Sequence, residues 1–272
     1  MNKGGNKMKH GITIFTPTYN RANTLQRLYD SLIIQKNKNF EWLVVDDGST
    51  DNTNELINNW MNENKIIIRY IYQENHGKTF AYNIGVENAK YEWFLCLDSD
   101  DFLSSDAINI LLNLIKEYSG GYVGLVSLKK NIVSDNICLK KEIATGKLVS
   151  FEELYRKYKC NGDTALVYKT KILIKNPFPI IENEKFVPEQ YLHDKMDQEG
   201  KLLFFSDKIY CCEYLEDGYS NNTINLLRNN PNGYLQAGKQ KIRYSKMIRS
   251  KIIGAIQINI SNFLLHKHLK EI

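Results

Sequence analysis

Apolar and polar positions alternate along the first hundred residues in a regular order. Gly11 to Phe15 is a short apolar, β-branched run, and similar runs recur at Phe40 to Val45, Ile66 to Tyr72 and Glu92 to Leu97. Between them the spacing turns helical. Leu25, Leu28, Leu32 and Ile33 mark a helix over Asn23 to Ile34; a second covers Asn52 to Met61, with Thr50 or Asp51 as N-cap; a third covers Lys78 to Ala89. Continuously apolar strands alternating with helices predict a mostly parallel sheet covered on both faces. Right-handed crossovers then bring the carboxyl ends of those strands to one edge.

Beyond Leu103 the pattern loosens. The spacing predicts helices over Ala107 to Tyr118, Phe151 to Lys157 and Pro188 to Gln198. It predicts strands at Tyr122 to Ser127, Asn131 to Leu139, Thr164 to Tyr168, Leu202 to Phe205 and Ile209 to Tyr214. Pro231-Asn232-Gly233 signals a turn, and Tyr234 to Lys270 reads as basic and helical. Three regions follow: 10–105, where the alternation is regular, 106–220, where it loosens, and 221–272, a basic helical extension.

Polar clusters follow three of the strands: Thr16-Pro17-Thr18-Tyr19-Asn20, Asp46-Asp47-Gly48-Ser49, and Asp98-Ser99-Asp100-Asp101. Open α/β sheets bind ligands at such strand ends. Three aspartates within four residues repel one another and raise one another's pKa. A hard divalent cation, Mn²⁺ or Mg²⁺, would offset that cost, and such ions take one or two carboxylates plus substrate phosphates. Asp47 would face the same crevice and accept hydrogen bonds from a nucleobase or ribose. Its bland alternative is a turn leading into a helix cap. Lys78 starts a helix after His76-Gly77, where a lysine beside free N–H groups suits phosphate; an ordinary surface lysine is the alternative.

Composition changes this picture little. The chain has 272 residues, 43% hydrophobic and 25% charged, with a net charge of +5 that does not call for nucleic acid. The charge is unevenly placed. Residues 224–272 hold nine Lys/Arg and one acid, Glu271, leaving the rest slightly acidic. Five cysteines, Cys96, Cys138, Cys160, Cys211 and Cys212, form no C-x-x-C pair. Buried thiols in a reduced, cytoplasmic protein are the expectation. The polar start, Met1 to His10, gives no signal-peptide pattern, and no run reaches the roughly 18 apolar residues of a membrane span.

Taken together, Ile12 to Arg21, Val44 to Asp51, Asn75-His76-Gly77-Lys78 with Asn83, and Leu97-Asp98-Ser99-Asp100-Asp101 resemble the family 2 glycosyltransferases of GT-A fold. The resemblance covers residues 10–105 well and the remainder weakly. It implies a nucleotide-sugar donor, UDP-linked or similar, a Mn²⁺ or Mg²⁺ ion, and inversion at the anomeric carbon. It places Thr16, Pro17, Tyr19, Asp47, Lys78, Asn83, Asp98 and Ser99 on the donor side, with Thr16 and Asp47 toward the base and ribose. Asp98 and Asp100 match the D-x-D motif; Asp100 is the first choice as metal ligand and Asp101 its rival.

An inverting transferase also needs a base for the acceptor hydroxyl. The family often uses the Asp of a Glu-Asp pair. Here Pro188-Glu189-Gln190 holds Gln at that place, so Glu189 becomes the candidate and Asp194 the fallback; a helix-start Glu favoured by the dipole is the bland reading. Glu213 to Gly218 resembles the segment that closes the acceptor side. His193 would touch phosphate or acceptor, or lie on the surface. The implied acceptor is a saccharide or lipid-linked saccharide in bacterial cell-surface synthesis. The basic tail, as an amphipathic helix or helical hairpin, either lies on the inner face of an anionic membrane or packs on its own domain. Two rival functions stand beside transfer. A sugar-phosphate nucleotidyltransferase would carry a Gly-rich basic loop where Pro17-Thr18-Tyr19-Asn20 stands, and a silent nucleotide-sugar-binding module would lack turnover.

Overall fold

The computed structural model describes residues 8–118, 120–134, 137–213 and 223–271. The first part runs β1 (Lys9–Thr18), α1 (Ala22–Ile33), β2 (Phe40–Asp46), α2 (Thr53–Glu63), β3 (Ile68–Tyr72), α3 (Lys78–Asn88) and β4 (Tyr91–Cys96). It continues through β5 (Phe102–Leu103), α4 (Ala107–Glu117), β6 (Gly124–Leu128), β7 (Lys130–Asn131), β8 (Leu148–Val149), α5 (Phe151–Arg156) and β9 (Thr164–Lys169). The last part is α6 (Thr170–Lys175), α7 (Gln190–Glu199), β10 (Leu202–Phe204), β11 (Tyr210–Cys212), α8 (Thr223–Asn229), α9 (Pro231–Tyr244) and α10 (Ile248–Glu271).

Eight strands form one sheet in the order β3-β2-β1-β4-β9-β6-β10-β8. The first four are mutually parallel, as the sequence predicts. β9 runs antiparallel to both β4 and β6, and β8 antiparallel to β10. The reversal matters for the site, because it puts the start of β9, Thr164, at the edge where its neighbours end. Successive side chains of a strand point to opposite faces, and here both faces are covered. Ile12, Ile14, Trp42 and Val44 join Leu28, Leu32 and Trp60 in one core. Phe15, Leu43, Val45 and Phe94 join Ala81, Val86 and Leu192 in the other. That double burial is why these strands read as unbroken apolar runs.

Later elements depart from expectation where side chains take over backbone groups. The predicted strand Asn131 to Leu139 shrinks to β7 plus one bridge at Cys138. Asn131 Oδ1 accepts from the amides of Val133 and Ser134, drawing the chain out of the ladder. The predicted turn Pro231-Asn232-Gly233 is instead the first turn of α9, with Pro231 at N1, where its fixed φ fits. Glu184 accepts from the amides of Asn232 and Gly233 and so caps that helix. The basic tail is two helices, α9 and α10, packed as a hairpin. The five cysteines are free, Cys211 and Cys212 buried but Cys138 exposed. Among the described residues no helix is long and apolar enough to cross a membrane. Glu213 is described; the rest of the Glu213 to Gly218 segment lies outside the described residues.

Candidate active site

The edge formed by the ends of β1, β2, β4 and β6 and the start of β9 carries the charged residues. β4 leaves the sheet at Cys96, and a tight turn, with the Asp101 amide donating to the Asp98 carbonyl at 3.0 Å, presents the three aspartates. Asp98 is the hub. Its Oδ1 lies 2.7 Å from Lys78 Nζ and its Oδ2 3.8 Å from Lys129 Nζ. The Tyr210 hydroxyl accepts from the Asp98 amide at 2.9 Å. Lys78 also reaches Glu189 Oε1 at 2.8 Å, and Lys129 reaches Asp101 Oδ2 at 3.1 Å while its ammonium sits 4.0 Å over the Tyr210 ring. Two lysines and three carboxylates thus form one chain of ion pairs: Glu189, Lys78, Asp98, Lys129, Asp101.

Burial alone would raise the Asp98 carboxyl, but Lys78 and then Lys129 outweigh it and hold Asp98 below the usual range. Asp101 is more deeply buried, at 7% side-chain exposure against 30% for Asp98. There burial pushes its carboxyl upward and Lys129 offsets only part of it. Asp100 is raised by burial and next by the charge of Asp98. It makes no ion pair among the described residues, although Arg27 from α1 holds its carbonyl at 2.6 Å. Lys78 is driven well above its ordinary value: burial would lower it, and Asp98 and Glu189 reverse the sign. Glu189 is held low, chiefly by Lys78.

The start of α3 is built to deliver Lys78. Gly77 sits at φ 92°, and a Cβ there would fall 1.8 Å from the Lys185 carbonyl, so only glycine fits. Asp47 secures the same loop: its Oδ2 accepts from the Gly77 amide at 2.8 Å and its Oδ1 from the His76 amide and Gln73 Nε2. Asp46 accepts from the Ser49 amide and the Tyr70 hydroxyl. Both aspartates at the β2 end therefore organise the protein itself. Thr16 is buried and its Oγ1 accepts from Trp42 Nε1 at 3.0 Å, on the core side of the sheet. Pro17 and Ser99 are buried and Tyr19 is exposed. Asn83 exchanges two hydrogen bonds with the Phe178 backbone and pins that loop.

Below the aspartates lies a pocket lined by Lys78, Asp98, Lys129, Glu189, His193 and Tyr210, floored by Tyr82, Leu166 and Phe178. Glu189 precedes α7 and reaches into it, with its side chain 54% exposed. Asp194 does not line it. Asp194 is buried against Lys241 of α9 at 3.5 Å and accepts from Gln190 Nε2 at 3.1 Å. His193, half-buried, stacks on Phe151 at 4.0 Å with Nδ1 3.3 Å from the Tyr168 hydroxyl, and burial pulls its imidazole down to about 4. A wider cleft beside His76 and Phe80 is lined by residues 179–185. Its polar side chains serve the fold: Glu184 caps α9 and Lys185 bonds Asn75.

Among the described residues no group of three or more His, Cys, Asp or Glu is arranged to hold a metal ion by itself. The donor set still fits a divalent ion of the kind that completes its shell with substrate oxygens. Asp100 is a half-buried carboxylate beside a second negative charge, with no ion pair among the described residues. Sequence reasoning passed over Lys129 and Tyr210. Lys129 directly follows the apolar stretch Gly124–Leu128, so the rule that located the aspartates, polar residues at strand ends on one edge, would have found it. Tyr210 lies inside β11 and gave no comparable signal.

Residues 13–176 match the profile of Glycosyl transferase family 2. The chain belongs to that family. The glycosyltransferase GlyA of Streptococcus pneumoniae is 30% identical over 224 residues, covering 79% of this chain and 28% of GlyA. The chain spans less than a third of the length of several curated relatives that it matches, GlyA among them. The structure of S. aureus TarS 1-349 in complex with UDP-GlcNAc superposes with a TM-score of 0.69 at 21% identity, over 96% of this chain and 73% of that one. The mannosyltransferase PcManGT from Pyrobaculum calidifontis, in complex with GDP-Man and Mn²⁺, gives 0.61 at 17% identity, over 96% and 76%. These likenesses establish the GT-A fold.

Proposed function

We propose that this family 2 chain transfers a sugar from a nucleotide diphosphate sugar, UDP-linked, to an acceptor hydroxyl with inversion. The observation that carries the reading is Lys78, held at 2.7 Å from Asp98 and 2.8 Å from Glu189, joining the D-x-D turn to the one carboxylate that opens α7. Glu189 accepts the proton of the acceptor hydroxyl. The acceptor oxygen then bonds to the anomeric carbon from the face opposite the diphosphate, and the bond from that carbon to the phosphate oxygen breaks. The nucleoside diphosphate leaves with the electron pair. Lys78 pairs with its negative oxygens, while Lys129 keeps Asp98 and Asp101 ionised and fixed. Asp100 is the carboxylate placed to hold Mn²⁺ or Mg²⁺, with Asp98 and Asp101 behind it; when bound, the ion would stabilise charge on the leaving diphosphate.

Asp194 is set aside as base because, unlike Glu189, it does not line the pocket beside Asp98 and turns instead to Lys241 of α9. We place the acceptor among saccharides or lipid-linked saccharides of the bacterial cell surface, handled on the cytoplasmic side. The family match favours transfer over the nucleotidyltransferase alternative. The test is release of nucleoside diphosphate from UDP-, GDP-, CDP- and dTDP-sugars with Mn²⁺ present. Release with one nucleotide class that depends on Glu189 supports the reading. Binding without release, by wild type and Glu189→Gln alike, would leave a silent binding module instead.

A further inference from the structure

The C-terminal hairpin leaves several large apolar residues of its outer helix exposed. α10 is 24 residues long and lies on α9, with no comparable contact to another element. The seam with α9 mixes small and apolar residues: Ser250 and Ser261 are 1% and 0% exposed, a Cβ on Gly254 would fall 2.9 Å from the Gly238 carbonyl of α9, and Ile258 packs over Gly238. The face it leaves open carries an apolar stripe alongside Arg249, Lys251 and Lys267. Ile248, Ile252, Ile256 and Phe263, spaced at helical intervals, are 77%, 54%, 54% and 70% exposed, and Ile253 and Ile260 widen the stripe. An exposed apolar stripe of this length marks a docking face.

Charge identifies what docks. Lys239, Arg243, Lys246, Arg249, Lys251 and Lys267 are exposed along the hairpin, and residues 224–270 contain no acid. A second copy seated on the stripe would bring the exposed Arg249 and Lys251 near the same cations of its partner, with Glu271 the one acid of residues 224–272. A nucleic acid would leave the isoleucines and Phe263 without a partner. An anionic lipid surface satisfies both features, taking the apolar face into the acyl boundary and the cations at the headgroups. We propose that the outer face of α10 is a docking surface for anionic phospholipid bilayers. The hairpin is keyed to the active site, since Gln240 of α9 donates to the Tyr191 carbonyl and Lys241 pairs with Asp194, both on the helix that Glu189 opens. A bilayer held by α10 is therefore tied rigidly to the acceptor side.

The test is co-sedimentation of the full chain with phosphatidylcholine vesicles, with and without phosphatidylglycerol. Binding is expected only with the anionic lipid, and should weaken in high salt. Arg249→Gln, Lys251→Gln and Lys267→Gln together should lower the partition coefficient roughly 100-fold, at roughly fivefold per cation. Ile252→Ser, Ile256→Ser and Phe263→Ser together should lower it roughly tenfold or more. Should that triple variant fail to fold, Phe263→Trp gives a conservative readout: the emission it adds should shift to the blue on anionic vesicles and be quenched by brominated lipid. Equal binding to neutral vesicles, undiminished binding by the folded variants, or a Phe263→Trp emission unmoved by vesicles would overturn the proposal. So would a wild-type dimer that the Ile/Phe variant converts to monomer without any vesicle binding in either form.

Discussion

The ends of β2 and β4 look alike in sequence: each is a buried apolar strand running into adjacent aspartates. Their carboxylates do different work. At the β2 end, Asp46 and Asp47 accept from amides, an amide side chain and a tyrosine hydroxyl, and shape the loop that leads to Lys78. At the β4 end, Asp98 and Asp101 face ammonium groups, and Asp100 pairs with none among the described residues. The same sequence pattern, an aspartate pair after a buried strand, thus shapes a loop in one place and an ion-pair cluster in the other. What separates the two cases is which donors the neighbouring loops supply.

Substitutions sharpen the contrast. The largest effect is expected from Lys129→Met, which strands the buried Asp101 as an uncompensated carboxylate and leaves Asp98 with Lys78 alone. Chemical denaturation should show a loss of about 3–5 kcal/mol, the usual result of breaking a buried pair from one side. A loss near zero would mean that the two aspartates are not held by this lysine. Glu189→Gln should reduce transfer about 10²-fold or more while nucleotide affinity stays unchanged. Equal loss of affinity would make Glu189 a binding residue. Asp47→Ala leaves the His76 and Gly77 amides without their acceptor and should cost about 1–3 kcal/mol. Nucleotide affinity should fall with it through the displaced loop, equally with and without Mn²⁺, whereas a purely metal-dependent loss would place Asp47 with the β4 cluster.

The smallest effect concerns pH. The imidazole of His193 is pulled to about 4 by burial, against its ordinary value of 6.5. Between pH 6.5 and 4 the unfolded chain takes up a proton that the folded chain refuses, so this residue's contribution falls as pH falls. Asp197, raised to about 6 by burial, acts in the opposite sense, its contribution shrinking as pH rises toward 6. His193→Gln should therefore flatten the acid limb of a stability-versus-pH curve. A variant curve parallel to wild type would show that the ring titrates normally.

The parallel strands and the β4 turn were legible because periodicity and like-charge crowding are local signals. Lys78 was legible for the same reason, as a cation at a helix start after glycine. The hydrogen bonds of Thr16 and Asn83 were not, because their partners Trp42 and Phe178 lie far along the chain. That Glu189 lines the pocket while Asp194 pairs with Lys241 in the tail was likewise visible only in the fold. Amphipathic spacing alone could not tell which side of α10 is buried; the close approach of Gly254 and Ile258 to Gly238 shows it.

We propose above all that the β4 end holds a metal-dependent nucleotide diphosphate site, with Asp100, which makes no ion pair among the described residues, as its metal ligand. Calorimetric titration of UDP into wild type and Asp100→Ala, each with and without Mn²⁺, tests it most directly. The account predicts Mn²⁺-enhanced binding by wild type, and loss of that enhancement in a variant whose stability is unchanged or slightly raised, since repulsion with Asp98 is relieved. Equal Mn²⁺ enhancement in both proteins would contradict it.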